Sequence, residues 1–254
     1  MSNLRKEFLE NGYIIKKNFL INDNFKRIAE ELNKQITNKC YEIELSKIGG
    51  SIIGNLNLSP GKYGRELLNL LKLSNFEKII EELTEKKIND LDIRIGGNLA
   101  LPFKHNQHFH IDGNYKDEML LASIATSNVD ENSGPTEIIL NSHSKFIPYW
   151  KFLISKKRKY KLTMSVGDLM IRKHCIWHRG TINNTNNPRF IIAFLIFDKL
   201  RKVAPNPHES NNEIVIYNNF FGNSFSERIK EFIYVKCKYI FGLYKILYSI
   251  IKNK

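Results

Sequence analysis

The feature that most limits what this chain can fold into is the texture that begins at Leu91. From there the sequence breaks into short apolar runs: LDIRIGGNLALPF, MLLASIATSNV, PTEIIL, YKLTMSV, DLMIRKHCIW and RFIIAFLIFD. Each has the length of a strand and the β-branched and aromatic content that suits a pleated, half-buried surface. No helical segment separates them, which argues against a parallel sheet wound through crossover helices. Consecutive strands joined by Gly, Asn and Asp turns predict an antiparallel sandwich or barrel of the jelly-roll type. The pair Gly167–Asp168 reads as one of those turns.

Helices flank this β region. LRKEFLENGY predicts a short helix stopped by Gly12, followed by a strand at Tyr13–Lys16 and a helix from about Asn22 to Thr37. SNFEKIIEELTEKK predicts another, with a capping box from Ser74 to Glu77 and an apolar face at Phe76, Ile79, Ile80 and Leu83. From Ser224 to Lys254 there are seven Lys or Arg against two Glu. Ile229, Ile233, Cys237, Ile240, Tyr244, Leu247 and Ile251 recur there every three or four residues, so the tail reads as a basic amphipathic helix weakened at Gly242. Such a helix packs on the barrel or lies on an anionic membrane. The expected organisation is a mainly β domain over residues 1–223, with a helical N-terminal third, and a basic helical tail over 224–254.

Composition excludes several classes. An apolar content of 42% over 254 residues is ample for a core, and no run approaches a membrane span. MSNLRKEFLENG lacks the apolar stretch of a secretory signal, and three cysteines, Cys40, Cys175 and Cys237, form no metal-type pair. A reducing, cytoplasmic setting is expected. The net charge of +13 admits polyanionic partners, but no base-reading motif accompanies it, so specific nucleic-acid binding is not expected.

Two histidines and an acid crowd into HFHID. On a strand, residues two apart share a face, which would point His108, His110 and Asp112 the same way. Imidazole nitrogens and a carboxylate oxygen form a borderline donor set that suits Fe(II), and Zn(II) less well. Sixty-six residues after Asp112 comes His178, in WHRGTINNTNNPR, with His174 at the same strand parity. A third ligand from a distant strand completes a facial triad. Arg189 stands eleven residues further on, and its guanidinium can fork onto a carboxylate. Such a set matches an iron oxygenase using 2-oxoglutarate.

With these residues in order, the chain resembles the phytanoyl-CoA dioxygenase family of Fe(II)/2-oxoglutarate oxygenases. The similarity runs from FLENGYIIKKNFL to about Asp198, through His110-Ile111-Asp112, ENSGPTEIILNSH, GDLMIRKHCIWHRG, and the spaced trio His178, Asn183 and Arg189. The resemblance implies a double-stranded β-helix with external helices. It implies metal ligation and catalysis at His110, Asp112 and His178, and a 2-oxoglutarate salt bridge at Arg189. It favours His110 over His108, because HIDG matches the family's H-x-D-G form, and His178 over His174, which then becomes a core or supporting residue. It also implies O2 as co-substrate and oxidation of a small-molecule, lipid-linked or CoA-linked substrate by hydroxylation, with desaturation or epimerisation as alternatives, since halogenating relatives lack the carboxylate.

The departures are local. Leu140 and Asn141 stand where the family has Pro-Gly before Ser142-His143, and Gly180 stands where some relatives carry a hydroxyl that holds 2-oxoglutarate. Thr136 and Asn98 are the candidates to replace that contact, and His143 is a candidate for the substrate mouth. The rival readings are a cupin-type metal protein using His108 with His110, and a non-catalytic barrel whose basic tail is the working surface.

Overall fold

The computed structural model describes residues 2–202 and 207–252, with side chains as far as Tyr248. Ile251, as a side chain, and Lys254 therefore lie outside the described residues. The chain opens with α1 (Asn3–Asn11), capped by Ser2 and closed by Gly12 at φ 76°, where a left-handed turn needs a residue without Cβ. β1 (Tyr13–Lys16) leads to α2 (Asp23–Glu42), capped by Asn22 and carried past Thr37 by Cys40, which packs half-buried against the core on the same side as Leu32 and Ile36. Next come α3 (Leu45–Ile48), β2 (Asn55–Ser59), α4 (Gly61–Lys72) and α5 (Phe76–Thr84). The apolar face of α5 is buried at Phe76, Ile79, Ile80 and Leu83. The capping box is not formed. Asn75 is the N-cap, so Ser74 lies one residue outside the box register, and its hydroxyl takes the Phe76 N–H at 3.3 Å instead.

The β region supplies β3 (Leu91–Ala100), β4 (Met119–Ile124), β5 (Thr136–Ile139), β6 (Lys159–Leu162), β7 (Leu169–Lys173), β8 (His178–Gly180), β9 (Arg189–Asp198) and β10 (Val215–Tyr217). A short helix, α6 (Tyr149–Ile154), precedes β6. The tail forms α7 (Phe225–Lys236) and α8 (Lys238–Lys252), which part at Cys237 and not at Gly242. Cys237 adopts φ −107°, ψ 57°, outside the helical basin, whereas Gly242 is carried inside α8 with open space around its Cα.

Seven strands form one sheet in the order β1-β7-β4-β9-β3-β2-β10, and three form a second in the order β6-β5-β8. Every strand pairing is antiparallel. The architecture is mainly β and jelly-roll-like, with helices outside. Alternation along the strands sorts the core. On β9, Phe190, Ile192, Phe194 and Ile196 join the outer cluster with Phe25, Leu32, Leu67 and Ile80 of the helices. Ile191 faces the other way, into an inner cluster with Ile138, Leu162, Met164 and Met170. On β7, Leu169 and Ile171 face outward and Met170 inward, which assigns the inner face to Arg172 as well.

Asp168 is more than a turn residue. It is fully buried, and its carboxylate accepts from the backbone of Asn18 at 3.0 Å and of Ser165 at 2.8 Å, and from Lys17 Nζ at 2.7 Å. Those bonds tie the start of β7 to the segment after β1.

Candidate metal centre

His110 and His178 are joined before any metal is considered. Their backbones exchange two hydrogen bonds, His110 N to His178 O and His178 N to His110 O, both 2.9 Å. A reciprocal antiparallel bridge of this kind sets two side chains abreast, and the ring centroids lie 4.4 Å apart. Asp112 is fixed two residues on by its N–H to His174 O at 3.1 Å. Its Oδ1 lies 3.9 Å from His110 Nε2, and its Oδ2 lies 3.5 Å from His178 Nε2. One donor atom from each of the three residues falls within 4.8 Å of the others.

Tautomers are set by the backbone. His110 Nδ1 donates to His108 O and His178 Nδ1 to Ile176 O, both at 2.9 Å. Each bond leaves Nε2 as the unprotonated nitrogen on the Asp112 side, the arrangement usual for metal-binding imidazoles, and that of His178 accepts from Arg172 at 3.1 Å. Burial and the adjacent Arg172 push His178 down to about 3, against the pull of Asp112, so the ring is neutral at physiological pH. Burial would raise Asp112, but His178, Arg172 and His110 hold it well below the usual carboxylate range. Two imidazoles, each bonded through Nδ1 to a backbone carbonyl, and one carboxylate fit a divalent cation, and iron or zinc in particular.

Arg172 is the feature the sequence reading missed. Its guanidinium, 4% exposed, donates to Asp112 Oδ2 at 2.7 Å and lies 3.1 Å from His178 Nε2. It is the counter-charge of the carboxylate, and it occupies the side of the cluster that a metal would share.

HFHID is not a strand. Residues 104–109 are irregular, and His110 makes only its bridge to β8. The parity expected for His108 therefore fails. Its N–H donates to Tyr234 Oη at 2.8 Å, its Nε2 donates to Tyr234 O at 2.7 Å, and its ring packs on Phe241. A cupin-type His108/His110 pair is not assembled. His174 sits in the turn after β7 with both ring nitrogens on carbonyls, of Met119 (3.0 Å) and Asn114 (2.8 Å). His143 is buried under α1, with Nε2 bonded to Leu9 O at 2.9 Å, so its imidazole does not line a substrate mouth.

Arg189, 3% exposed, begins β9 and shares the inner parity of Ile191. It donates to Asn98 Oδ1 at 3.2 Å and to the Gly134 carbonyl. Its Nε has no hydrogen-bond partner, and among the described residues no carboxylate pairs with it. A buried cation without an acid is costly unless an anion completes it. Burial lowers this guanidinium to about 10. Asn98 thus touches Arg189 directly. Thr136 lies at the head of β5 opposite Gly180, with no contact to Arg189 among the described bonds. Asn183 is buried and braces the loop before Arg189, donating to Ala100 O at 3.1 Å and Asn187 O at 2.7 Å.

Glycine at 180 has a steric reason. A Cβ there would stand 2.5 Å from Asn55 Oδ1 and 3.0 Å from Gln107 Oε1, which itself accepts the Gly180 N–H at 2.8 Å. Asn55 Oδ1 is buried without a partner. Two amides therefore occupy the space of the missing hydroxyl, and both line the cavity that opens beside His110.

That cavity has a volume of about 1050 Å³. Its walls are largely aromatic, including Phe109, Tyr149, Trp177, Tyr234, Phe241 and Tyr244, with Lys116 and Lys245 as cations. Burial lowers the Lys245 ammonium. The tail helices contribute five residues to that lining, Tyr248 included, and are fastened by Glu231, fully buried, whose Oε1 accepts the N–H groups of Ile52 (2.8 Å) and Ile53 (2.9 Å).

No protein-family model and no curated protein matches the sequence. Solved structures do match the fold. The epimerase SnoN from nogalamycin biosynthesis, described as non-heme and alpha ketoglutarate dependent, aligns over 77% of this chain and 79% of its own at 16% identity, TM-score 0.60. AviO1 from Streptomyces viridochromogenes aligns over 80% and 96% at 16% identity, TM-score 0.62. EvdO2 from Micromonospora carbonacea var. aurantiaca aligns over 84% and 98% at 14% identity, TM-score 0.59. At these identities the likeness is one of fold.

Proposed function

We propose that the protein is a non-haem Fe(II)- and 2-oxoglutarate-dependent oxygenase of the phytanoyl-CoA dioxygenase type, hydroxylating a bulky apolar or amphiphilic small molecule. The observation that carries this reading is the buried, acid-free guanidinium of Arg189, in the same barrel as three converging metal donors. A metal cluster alone suits many chemistries, but a metal cluster with an unpaired buried cation suits a co-substrate that chelates at one end and ends in a carboxylate. The epimerase SnoN, which shares the fold, has been solved in complex with Fe3+, alpha ketoglutarate and nogalamycin RO, and this likeness supports the same assignment.

In this reading His110, Asp112 and His178 would hold iron through imidazole nitrogens and a carboxylate oxygen. When bound, the metal supplies the oxidative decarboxylation of 2-oxoglutarate to succinate and CO2 by O2, coupled to oxidation of a substrate C–H. The chain's own residues do the rest. Arg189 pairs with the far carboxylate, and Asn98 steadies its guanidinium through the 3.2 Å bond. Asn55 and Gln107 replace the relatives' hydroxyl as polar contacts, with Thr136 flanking at the head of β5. Arg172 keeps Asp112 ionised and oriented. The aromatic cavity excludes water and seats the substrate, and Lys116 and Lys245 meet an anionic group such as a phosphate. Asp112 argues against halogenation, whose enzymes lack this carboxylate, and is compatible with hydroxylation, desaturation or epimerisation; hydroxylation is the outcome proposed, and product analysis decides among the three.

The test is succinate release from 2-oxoglutarate with Fe(II) and O2, with and without a panel of apolar and CoA-linked compounds. Arg189→Met should raise the KM for 2-oxoglutarate by about a hundredfold, as expected for loss of a buried charge-assisted contact. Asp112→Ala should abolish both iron retention and turnover. Turnover that needs neither iron nor 2-oxoglutarate, or full activity of Asp112→Ala, overturns the assignment.

A further inference from the structure

The tail helices attach to the barrel by an unexpected face. The apolar stripe legible in the sequence is not what they bury. α7 is held through Glu231 and Val235, both buried, and Tyr234, whereas Ile229, Ile240, Tyr244 and Leu247 are 44%, 60%, 58% and 52% exposed. α8 packs against α6. Both helices contribute to the cavity wall, α6 through Tyr149 and α8 through Phe241, Tyr244 and Tyr248. Each also turns a second apolar surface outward: Trp150, Leu153 and Ile154 on α6, and Ile240, Leu243 and Leu247 on α8. Isolated apolar side chains are ordinary on a surface, but six on two adjacent helices at the rim of one cavity are not.

The charge around this ridge has one sign. Residues 145–161 contain seven Lys or Arg and no acid, and residues 232–254 contain five and no acid. Lys145, Lys151, Lys156, Arg158 and Lys159 are exposed. A protein partner would call for mixed charge at the rim, and a nucleic acid would have no use for the apolar ridge. Exposed aliphatic side chains, a tryptophan and tyrosines flanked by lysines match an anionic lipid surface, where aromatic rings sit at headgroup level and basic side chains reach phosphates.

We infer that the α6–α8 face docks on an anionic membrane and turns the mouth of the cavity toward the bilayer. The occupant is lipid: apolar side chains of both helices enter the headgroup boundary, and the lysines meet phosphate. On the helical wheel, the outward stripe of α8 and its cavity-facing residues meet at Tyr244, so a lipid-embedded amphiphile has a continuous apolar route into the barrel. That last step rests on the oxygenase reading; the docking does not, and its test involves neither iron nor 2-oxoglutarate.

The experiment is flotation of the full-length protein with vesicles of phosphatidylcholine, and with vesicles containing about one-third phosphatidylserine. The expected result is at least tenfold stronger association with the anionic vesicles, weakened by salt. The double variant Leu243→Glu/Leu247→Glu should lose it at least tenfold with an unchanged melting curve, since both positions are exposed. Leu243→Ser/Leu247→Ser gives a milder check, and Lys156→Glu/Arg158→Glu should weaken binding to anionic vesicles only. Absence of binding to anionic vesicles overturns the proposal, as does binding the double leucine variants retain in full, which would reduce it to diffuse attraction by the +13 charge. Sedimentation velocity supplies the other refutation: a dimer that those variants dissolve would mean a second copy covers the face.

Discussion

Arg172 is the residue on which the candidate centre turns. In the metal-free protein it is the charged partner of Asp112, a half-buried carboxylate whose other close neighbours are the imidazoles of His110 and His178. With a dication present, it is a like charge a few ångströms away, a repulsion of a few kcal/mol at the effective dielectric of such sites. Arg172→Met should therefore act in opposite directions: a lower melting temperature without metal, and about tenfold or greater tightening for Fe(II) or Zn(II), read by calorimetric titration. Weaker metal binding in this variant would make the guanidinium a support of the loaded centre and not its competitor. A second expectation concerns acid. His178 is held at about 3 against an unfolded value near 6.5, so between those pH values the unfolded chain binds the extra proton. Stability of the metal-free protein is then fully present above pH 6.5 and declines as pH falls, by up to about 1.4 kcal/mol per pH unit from this group. Asp112, lowered from 3.8, adds its loss only below that value. Denaturant midpoints of wild type and His178→Asn across pH 4–7 measure the difference, and parallel curves would dismiss it. The ligand trio was legible because its chemistry is uncommon in a core. Arg172 was legible in principle, since Leu169 and Ile171 mark the outer face and leave Met170 and Arg172 inside. His108 misled because residues 104–109 lack strand pairing, so the period of two does not apply to it.

Among the elements, the strands and the first helices follow local pattern closely, because amphipathic faces and Gly or Asn stops are written locally. The tail did not, and the reason is Glu231. A carboxylate in an apolar stripe reads as the solvent side of a helix, but here it is the anchor, capping two backbone N–H groups exposed at the turn before β2. No local rule announces that those donors need an acceptor 179 and 178 residues away. Glu231→Ala should leave both unpaired and cost about 2–5 kcal/mol of the tail's attachment. Limited proteolysis would then cut near Cys237 under conditions that spare the wild type, whereas Glu231→Gln keeps the accepting oxygen and should remain closer to wild type. Equal protease resistance of Glu231→Ala and wild type would show that the aromatic contacts of Tyr234 and Phe241 alone hold the tail.

For the whole molecule, the strand order was the least legible property. β7 lies between β1 and β4, and β9 between β4 and β3, pairings chosen by burial across long separations and not by any turn. Among the described residues, the two buried clusters that hold the sheets together contain none beyond Ile216. Folding of the barrel and completion of the cavity are thus separable: the barrel has its own core, and α8 adds a wall. A chain ending at Cys237 should keep a cooperative melt and its metal affinity while the cavity opens to water. Trp177, 7% exposed and part of the cavity lining, reports on this. In a Trp150→Phe background, which isolates it, the emission of Trp177 should shift to the red on truncation. Under the proposed function, turnover of 2-oxoglutarate should then become less dependent on substrate, because water gains wider access to a centre in which His110 and Asp112 are already partly exposed. Unchanged emission with fully coupled turnover would mean that the barrel mouth is closed by α6 alone, and that the last helix serves only the outer surface.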